Sequence, residues 1–192
     1  MVKKIILWTG MIVLNIFCSM ALGTTKVPSW TVDPLQSEIE FKATQNGAPV
    51  TGNFKTFQAK ILFSPTDLKN SHVNLVINTN SVSSSYPEVS NTLKSEDWFD
   101  VKEFPKATFD SLFFKKIGEG FYAGEGNLTL RGQTHPVSFT FSLDNKTDTS
   151  AMAKGSLTLR RTDFGVGQKE WKNTSVVKDE VEIHFLMNAT RP

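Results

Sequence analysis

The stretch LTLRGQTHPVSFTF, Leu128–Phe141, consists of two runs of alternating hydrophobic residues joined by a short polar connection. Successive side chains of an extended strand point to opposite faces, so each run presents one apolar face and one polar face. Glycine and proline in the connection, residues 131–136, are typical of a turn between paired strands. The stretch therefore predicts a β-hairpin whose apolar face carries Leu128, Leu130, Val137, Phe139 and Phe141.

Two residues of the same connection, Arg131 and His135, could instead mark an active site. A catalytic histidine needs an orienting partner and a position that faces the substrate, and the sequence offers neither. Pro136 also favours an extended conformation at His135. Turn formation is therefore the preferred interpretation of residues 131–136.

The same period of two recurs along most of the chain. Such repeated alternation between short turn signals favours an antiparallel sandwich or barrel. The segments are 37–43, 50–57, 59–63, 72–78, 107–113, 120–123, 127–131, 137–143, 153–161 and 180–189. Phenylalanines occupy the predicted inner faces, at Phe41, Phe54, Phe63, Phe109, Phe113, Phe139, Phe141 and Phe185. A solid core and a barrel of about eight strands with an internal cavity both remain open on this pattern.

One polar segment, residues 84–104, interrupts the alternation. Ser95 could cap a short helix, with Glu96 and Asp97 in its first turn, where the helix dipole favours acidic side chains. The aromatic residues of this segment would then form a lid on the core, the mouth of a cavity, or both.

The first 23 residues have the layout of a cleavable secretory signal. Lys3 and Lys4 precede an apolar run, and Ala21 and Gly23 provide small residues at −3 and −1 of a cut before Thr24. A retained membrane anchor is the alternative. The sole cysteine, Cys18, lies in this segment and lacks the neighbours of a lipid-attachment site. We therefore predict one domain over residues 24–192, without a thiol.

Charge and motifs exclude several functions for residues 24–192. Without Lys3 and Lys4 of the signal, the chain has 19 basic and 19 acidic residues, so its formal net charge is zero and does not indicate nucleic-acid binding. Three scattered histidines do not form a metal motif. Asp163-Phe164-Gly165 lacks the other kinase motifs, and residues 165–167 lack the rest of a dinucleotide loop. We predict no catalytic residue, no metal site and no cofactor.

Six blocks of the chain, taken in order, resemble the YceI-like family. They are WTVDPLQSEIEF (30–41), GNFKTFQAKILFSPTD (52–67), LKSEDWFDVKEFPKATFDS (93–111), GNLTLRGQTHPVSF (126–139), LRRTDFGVGQKEW (159–171) and VVKDEVEIHF (176–185). The resemblance implies a lipocalin-like antiparallel β-barrel of about eight strands, with a short helical insertion near Ser95–Phe104. It also implies a long hydrophobic pocket, binding of polyisoprenoids or similar amphiphiles, and export to the periplasm or the medium. Many members carry a histidine where this chain has Gln36, and others a basic segment where it has residues 87–93.

On this basis we predict an exported carrier of a polyprenyl, quinone or acyl lipid, with possible transient membrane contact. The predicted ligand-binding residues are Phe41, Phe54, Phe63, Leu75, Ile77, Trp98, Phe99, Phe109, Leu128, Leu130, Phe139, Phe141 and Trp171. The cations that could meet a pyrophosphate or carboxylate at an opening of the barrel are Arg131, Arg160, Arg161 and Lys172. An enzyme acting on such a lipid is a second hypothesis, with Ser111 and Thr56 as its polar candidates. A stress-related interaction module with a solid core is the third.

Overall fold

The structure is a computed structural model that describes residues 26–192. The predicted signal segment, including Cys18 and the cleavage position before Thr24, lies outside the described residues. Within residues 26–192, eleven strands and one α-helix form the fold. The strands are β1 Ser29–Val32, β2 Glu38–Gln45, β3 Ala48–Phe54, β4 Phe57–Leu62, β5 His72–Asn78, β6 Val82–Ser84, β7 Lys106–Gly118, β8 Phe121–Leu130, β9 Gln133–Thr147, β10 Ser150–Arg160 and β11 Glu180–Thr190; the helix is α1 Pro87–Lys94. Short 3₁₀ turns occupy Leu68–Asn70, Thr79–Ser81, Arg161–Phe164 and Lys169–Lys172.

Eight of these strands close into an antiparallel barrel, in the order β1-β4-β5-β7-β8-β9-β10-β11 and back to β1. The long strands β7 to β11 form a meander in which each strand pairs with the next along the chain. Because alternate side chains of each strand point inward, the apolar positions of the sequence converge on the barrel interior. The predicted antiparallel barrel of about eight strands is confirmed.

Closure of the barrel depends on a short pairing between the two ends of the chain. Thr31 and Val32 of β1 lie opposite Thr190 and Ala189 of β11. Earlier in β11, residues 182–186 pair instead with residues 38–42 of β2, which in turn pairs with β3, and β3 with β6. The strands β1 and β6 are absent from the sequence prediction, because each is too short to show alternation.

An extra residue in β7 reverses the orientation of the side chains that follow it. Ser111 lies opposite Gly126 and Phe113 lies opposite Glu125, so Leu112 is the additional residue of a β-bulge. Phe114 is consequently buried at 8% exposure, whereas Phe113 is 47% exposed. The expectation that Phe113 faces inward is therefore wrong, and Phe114 takes its place.

Glycines on the inner wall lie beneath phenylalanine rings of neighbouring strands. A methyl group added to Gly124 would lie 2.4 Å from Phe139 Cζ, and one added to Gly155 would lie 2.4 Å from Phe185 Cζ. Gly126 faces the Phe109 ring in the same way. The glycines at 124 and 126 break the hydrophobic alternation, so the sequence predicts two segments where the structure has the single strand β8. They allow the rings to lie against the wall.

The helix lies before the predicted position. Pro87 occupies its first turn, where a proline needs no hydrogen-bond partner, and Ser95 follows its last residue. The Ser95 hydroxyl donates to the Thr92 carbonyl at 2.7 Å, so it caps the C-terminus rather than an N-terminus. Residues 95–104 form turns, with Asp100 at a positive φ of 48° that is incompatible with a continuing helix.

The connection between β8 and β9 is shorter than predicted. Only Arg131 and Gly132 form the turn, with φ of 49° and 72°, as in a two-residue type I′ hairpin. His135 and Pro136 belong to β9, and the His135 ring packs against Phe164 at 5.1 Å between centroids.

Among residues 26–192, no helix is long and apolar enough to span a membrane.

Candidate ligand-binding cavity

The barrel encloses a cavity of about 280 Å³. This volume is nearly twice the roughly 150 Å³ of an engineered apolar cavity that accepts benzene. Side chains from every strand of the closed barrel contribute to its lining, and nearly all of the lining atoms are carbon. Such a space suits an apolar chain, because it offers dispersion contacts and few hydrogen-bond partners.

Aromatic clusters bound the cavity at both ends. At one end the Phe63 ring contacts Phe114, Tyr122 and Phe141, with centroid distances of 5.3, 5.6 and 5.8 Å in edge-to-face geometry. The strand register places these residues far from Leu130 and Ile77, which line the other end. Edge-to-face packing of this kind holds the rings in place. The cavity therefore runs along the strands between two packed layers.

The second end is closed by turns that follow α1 and β10. Trp98 and Phe99 are buried there, together with Phe164, Val166 and Val177. Trp98 and Phe99, from the predicted segment 84–104, therefore form a lid on the core, and the same two residues line the cavity.

Twelve of the thirteen predicted ligand-binding residues line this cavity. They are Phe41, Phe54, Phe63, Leu75, Ile77, Trp98, Phe99, Phe109, Leu128, Leu130, Phe139 and Phe141. Trp171 lies outside the lining and packs behind Trp98, with ring centroids 5.5 Å apart. Contact of any of these residues with a ligand stays a prediction.

Several lining residues are missing from the predicted set. Ile183, Phe185 and Met187 lie on one face of β11, and their strict alternation could have identified them. Phe114 was hidden by the bulge, and Trp30 lies on the short strand β1. Phe114 and Trp30 can be identified as lining residues only from the pairing of strands, which a single sequence does not show.

Arg161 is the one charged residue among the described residues that line the cavity. It is 4% exposed, and its guanidinium donates to four backbone carbonyls: Nε to Lys178 at 3.0 Å, Nη1 to Val166 at 2.9 Å, and Nη2 to Trp171 and Val177 at 2.7 and 2.8 Å. Desolvation by burial lowers the pKa of Arg161 from its usual value. The residue thus connects the turns at this end, and it brings a positive charge, with the Asp179 carboxylate nearby, to an apolar space.

The other three predicted cations do not line the cavity. Arg131 Nη2 donates to the Glu96 carbonyl at 2.9 Å, and Lys172 is exposed. Arg160 forms an exposed ion pair with Asp179, Nε to Oδ2 at 2.9 Å. Contact of these three residues with a head group at an opening stays a prediction, and Arg161 is the one predicted cation that lines the cavity.

The Asp179 carboxylate anchors the start of the turn after β10. Burial favours a higher pKa for Asp179, but hydrogen bonds from Thr162 Oγ1 at 2.7 Å, Thr162 N at 3.1 Å and Arg160 Nε at 2.9 Å outweigh it. Because these donors stabilise the charged form, the pKa of Asp179 lies below its usual range.

Two tryptophans, Trp30 and Trp98, are among the lining residues. Trp30 Nε1 donates to the Phe63 carbonyl at 3.0 Å, so its donor is satisfied. Trp98 is 7% exposed, and its Nε1 is buried without an acceptor among the described residues. The Arg161 guanidinium carbon lies 5.8 Å from the centroid of the Trp98 ring. The polar groups of the cavity are therefore concentrated at the Trp98 end.

The polar candidates of the enzyme hypothesis lie off the cavity. Thr56 is exposed, and Ser111 is 5% exposed but accepts a hydrogen bond from Val73 N at 2.8 Å. Ser111 Oγ also lies 3.4 Å from His72 Nδ1, and His72 Nε2 lies 3.0 Å from Asp110 Oδ1. These three side chains are of the types found in a nucleophile triad, but the Ser111 hydroxyl is buried outside the cavity lining. Over residues 26–192, no group of three or more His, Cys, Asp or Glu side chains could hold a metal ion.

Comparison with known proteins identifies the family of this barrel. A family model described as the YceI-like domain matches residues 30–189. Curated relatives include UPF0312 proteins of Yersinia pestis and Yersinia enterocolitica, 39% and 40% identical over 106 residues. Each match covers 55% of this chain and 55% of the relative, so the chain aligns with about half the length of these relatives.

Solved structures share the fold over most of the chain. Burkholderia cenocepacia BcnA is 31% identical, with a TM-score of 0.79 over 83% of this chain and 99% of BcnA. A polyisoprenoid-binding domain from Saccharophagus degradans has a TM-score of 0.70 at 15% identity, over 86% of this chain and 99% of the domain, which shows the fold alone. The family match spans nearly all of the described residues. The chain belongs to the YceI-like family.

Proposed function

We propose that this chain binds and carries a long-chain amphiphile, such as a polyprenyl, quinone or acyl lipid, inside the barrel, without chemical conversion of the lipid. The observation that carries the proposal is the apolar cavity of about 280 Å³ with aromatic layers at both ends. Each CH₂ group of a tail contributes about 0.8 kcal/mol on leaving water, so burial of a tail alone can hold the ligand. The description of the Saccharophagus degradans domain as polyisoprenoid-binding supports the same ligand class.

A solid-core interaction module is disfavoured by the cavity, and an enzyme by the position of the polar candidates. Ser111 and Thr56 lie off the lining, so neither would reach a lipid held in the barrel. A carrier needs no catalytic hydroxyl, because it releases its lipid by transfer to another apolar environment.

Native mass spectrometry of the purified protein, with non-covalent ligands retained, tests the proposal. We expect a stoichiometric lipid, or uptake of a prenyl lipid or quinone offered during purification. Bound ligand should also raise the melting temperature, since a ligand at 100 times its Kd adds about 2.7 kcal/mol to the free energy of unfolding.

Two matched variants make the test specific for the cavity. Ala153 lines the cavity, whereas Ser156, three residues along β10, is exposed on the outer face. Ala153→Phe should abolish the ligand-dependent rise in melting temperature, and Ser156→Phe should retain it. Failure of the wild-type protein to take up any offered amphiphile would overturn the proposal.

We further propose that the chain is exported and that residues 1–23 are removed. The basic start, the apolar run and the small residues before Thr24 support this localisation. The intact mass of the protein recovered from the periplasm or medium should correspond to a chain that begins at Thr24. Recovery of the full-length chain in the membrane fraction would favour the anchor instead.

A further inference from the structure

The Trp98 end of the cavity contains an unused hydrogen-bond donor. Trp98 is more than nine-tenths buried and lines the cavity, and its indole N–H has no acceptor among the described residues. A buried donor without a partner is destabilising, and native structures rarely keep one without a reason. Trp30 lines the same cavity with its N–H bonded to the Phe63 carbonyl, so an unpaired indole is not a general property of this lining.

The Arg161 guanidinium makes the same end attractive to electron-rich atoms. The Arg161 guanidinium lies 5.8 Å from the Trp98 ring and forms none of the ion pairs between described residues. Its four hydrogen bonds to carbonyls engage four of the five N–H groups of an arginine. A positive charge in an apolar space interacts more strongly with a nearby dipole or anion than it does in water.

From these two groups we infer that the Trp98 end of the cavity is a head-group site for an amphiphile whose polar end carries a hydrogen-bond-accepting oxygen. Carbonyl, carboxylate and phosphate oxygens share this property. The oxygen accepts from Trp98 Nε1 and lies in the field of Arg161, while the tail extends towards Phe63 and Phe141. An alkylammonium end offers only donors and a like charge, so this site excludes it. The inference rests on the proposed function, because it places the polar end of the ligand that the cavity holds.

Four probes with similar tails test the head-group site: dodecane, 2-dodecanone, dodecanoate and dodecylamine. Their Kd values are measured for the wild-type protein, for Trp98→Phe and for Trp30→Phe. Both substitutions keep an aromatic ring in the lining and remove one indole N–H, but only Trp98 has a donor to spare. We expect Trp98→Phe to reduce the preference for an oxygen-tipped probe over dodecane several-fold, up to about tenfold. Trp30→Phe should leave that preference unchanged, and dodecylamine should bind least well.

An NMR measurement provides a readout that a merely structural effect would not produce. The indole ¹H–¹⁵N resonance of Trp98, assigned by its loss in Trp98→Phe, should move downfield when 2-dodecanone or dodecanoate binds. Dodecane should cause no comparable shift. These resonances also report folding, so a variant that fails to fold is recognised directly.

The outcomes separate the two proposals. If dodecane and the oxygen-tipped probes bind, but Trp98→Phe and Trp30→Phe change their Kd values alike, the head-group site is wrong and the carrier function stands. If none of the four probes binds the folded wild-type protein, the carrier function itself is overturned. A preference for either oxygen-tipped probe that depends on Trp98 supports the site.

Discussion

Replacement of Gly124 by alanine should push the Phe139 ring into the cavity. The new methyl carbon would lie 2.4 Å from Phe139 Cζ and 2.9 Å from Cε1. Carbon atoms prefer separations of 3.5–4.0 Å, so the ring must retreat by about 1.1–1.6 Å. The wall lies behind the ring, and the rings of Phe109 and Phe185 flank it at 5.5 and 6.0 Å. The ring can therefore move only towards the lumen.

The cost of this movement can be estimated for folding and for binding. Overpacking of a well-packed interior destabilises by about 1–3 kcal/mol, and the gain from replacing a strand glycine, about 0.5–1 kcal/mol, offsets part of it. We expect a net loss of roughly 1–2 kcal/mol in the free energy of unfolding. If the ligand loses room for about one CH₂ group, its Kd should rise about fourfold.

Urea unfolding, followed by tryptophan fluorescence, and titration with a prenyl lipid measure the two effects. Gly118→Ala is the control, because its methyl group would lie 3.6 Å from Phe121 Cβ, an ordinary contact. In the double variant Gly124→Ala/Phe139→Leu the smaller side chain should relieve the clash, with a coupling of about 0.5–3 kcal/mol. The reasoning is refuted if Gly124→Ala matches Gly118→Ala in stability and affinity, or if Phe139→Leu brings no relief.

Three further predictions concern the wall and its turns. Phe114→Ser should destabilise the protein by about 3–5 kcal/mol, whereas Phe113→Ser should stay within about 0.5 kcal/mol; equal losses in urea unfolding would contradict the bulge. The lowered pKa of Asp179 means that its contribution to stability is present above its unfolded pKa of about 3.9 and is lost as the pH falls through the folded pKa. The stability difference between wild type and Asp179→Asn should therefore shrink below about pH 4, and a constant difference from pH 2 to 7 would contradict this assignment. Gly132→Ala places a methyl group at a φ of 72° and 2.8 Å from Phe104, so it should lower the free energy of unfolding by about 1 kcal/mol or more; an unchanged thermal midpoint would show that the turn adapts.

The alternation of hydrophobic residues predicted an antiparallel sandwich or barrel, because a period of two determines which side chains share a face, and the resemblance to the YceI-like family favoured the barrel. Alternation and resemblance together gave thirteen predicted residues, twelve of which line one cavity. The alternation failed where the pairing of strands matters. The bulge at Leu112 is defined by the partner strand, and Gly124 and Gly126 separate two predicted segments although they lie in mid-strand beneath aromatic rings.

The polar groups of the cavity were the least predictable part. The alternation of residues 153–161 places Arg161 on the face of Leu157 and Leu159, and Arg160 on the opposite face, but it does not show how a buried guanidinium finds its partners. Arg161 can be buried because the carbonyls of residues 166–178, brought together by the turns after β10, supply its acceptors. Burial of this kind depends on tertiary structure, and a single sequence does not reveal it.

The short pairing that closes the barrel has a consequence for the order of folding. Residues 31–32 meet residues 189–190, so the last contacts of the ring join the two ends of the chain. The meander from β7 to β11 pairs neighbours in sequence and can form early, but the ring must wait for a loop of nearly the whole chain to close. The strand β1 can pair early with β4, but its second partner is missing until residues 189–190 reach it. Truncation before residue 189 would leave an otherwise complete sheet as an open, edge-exposed intermediate.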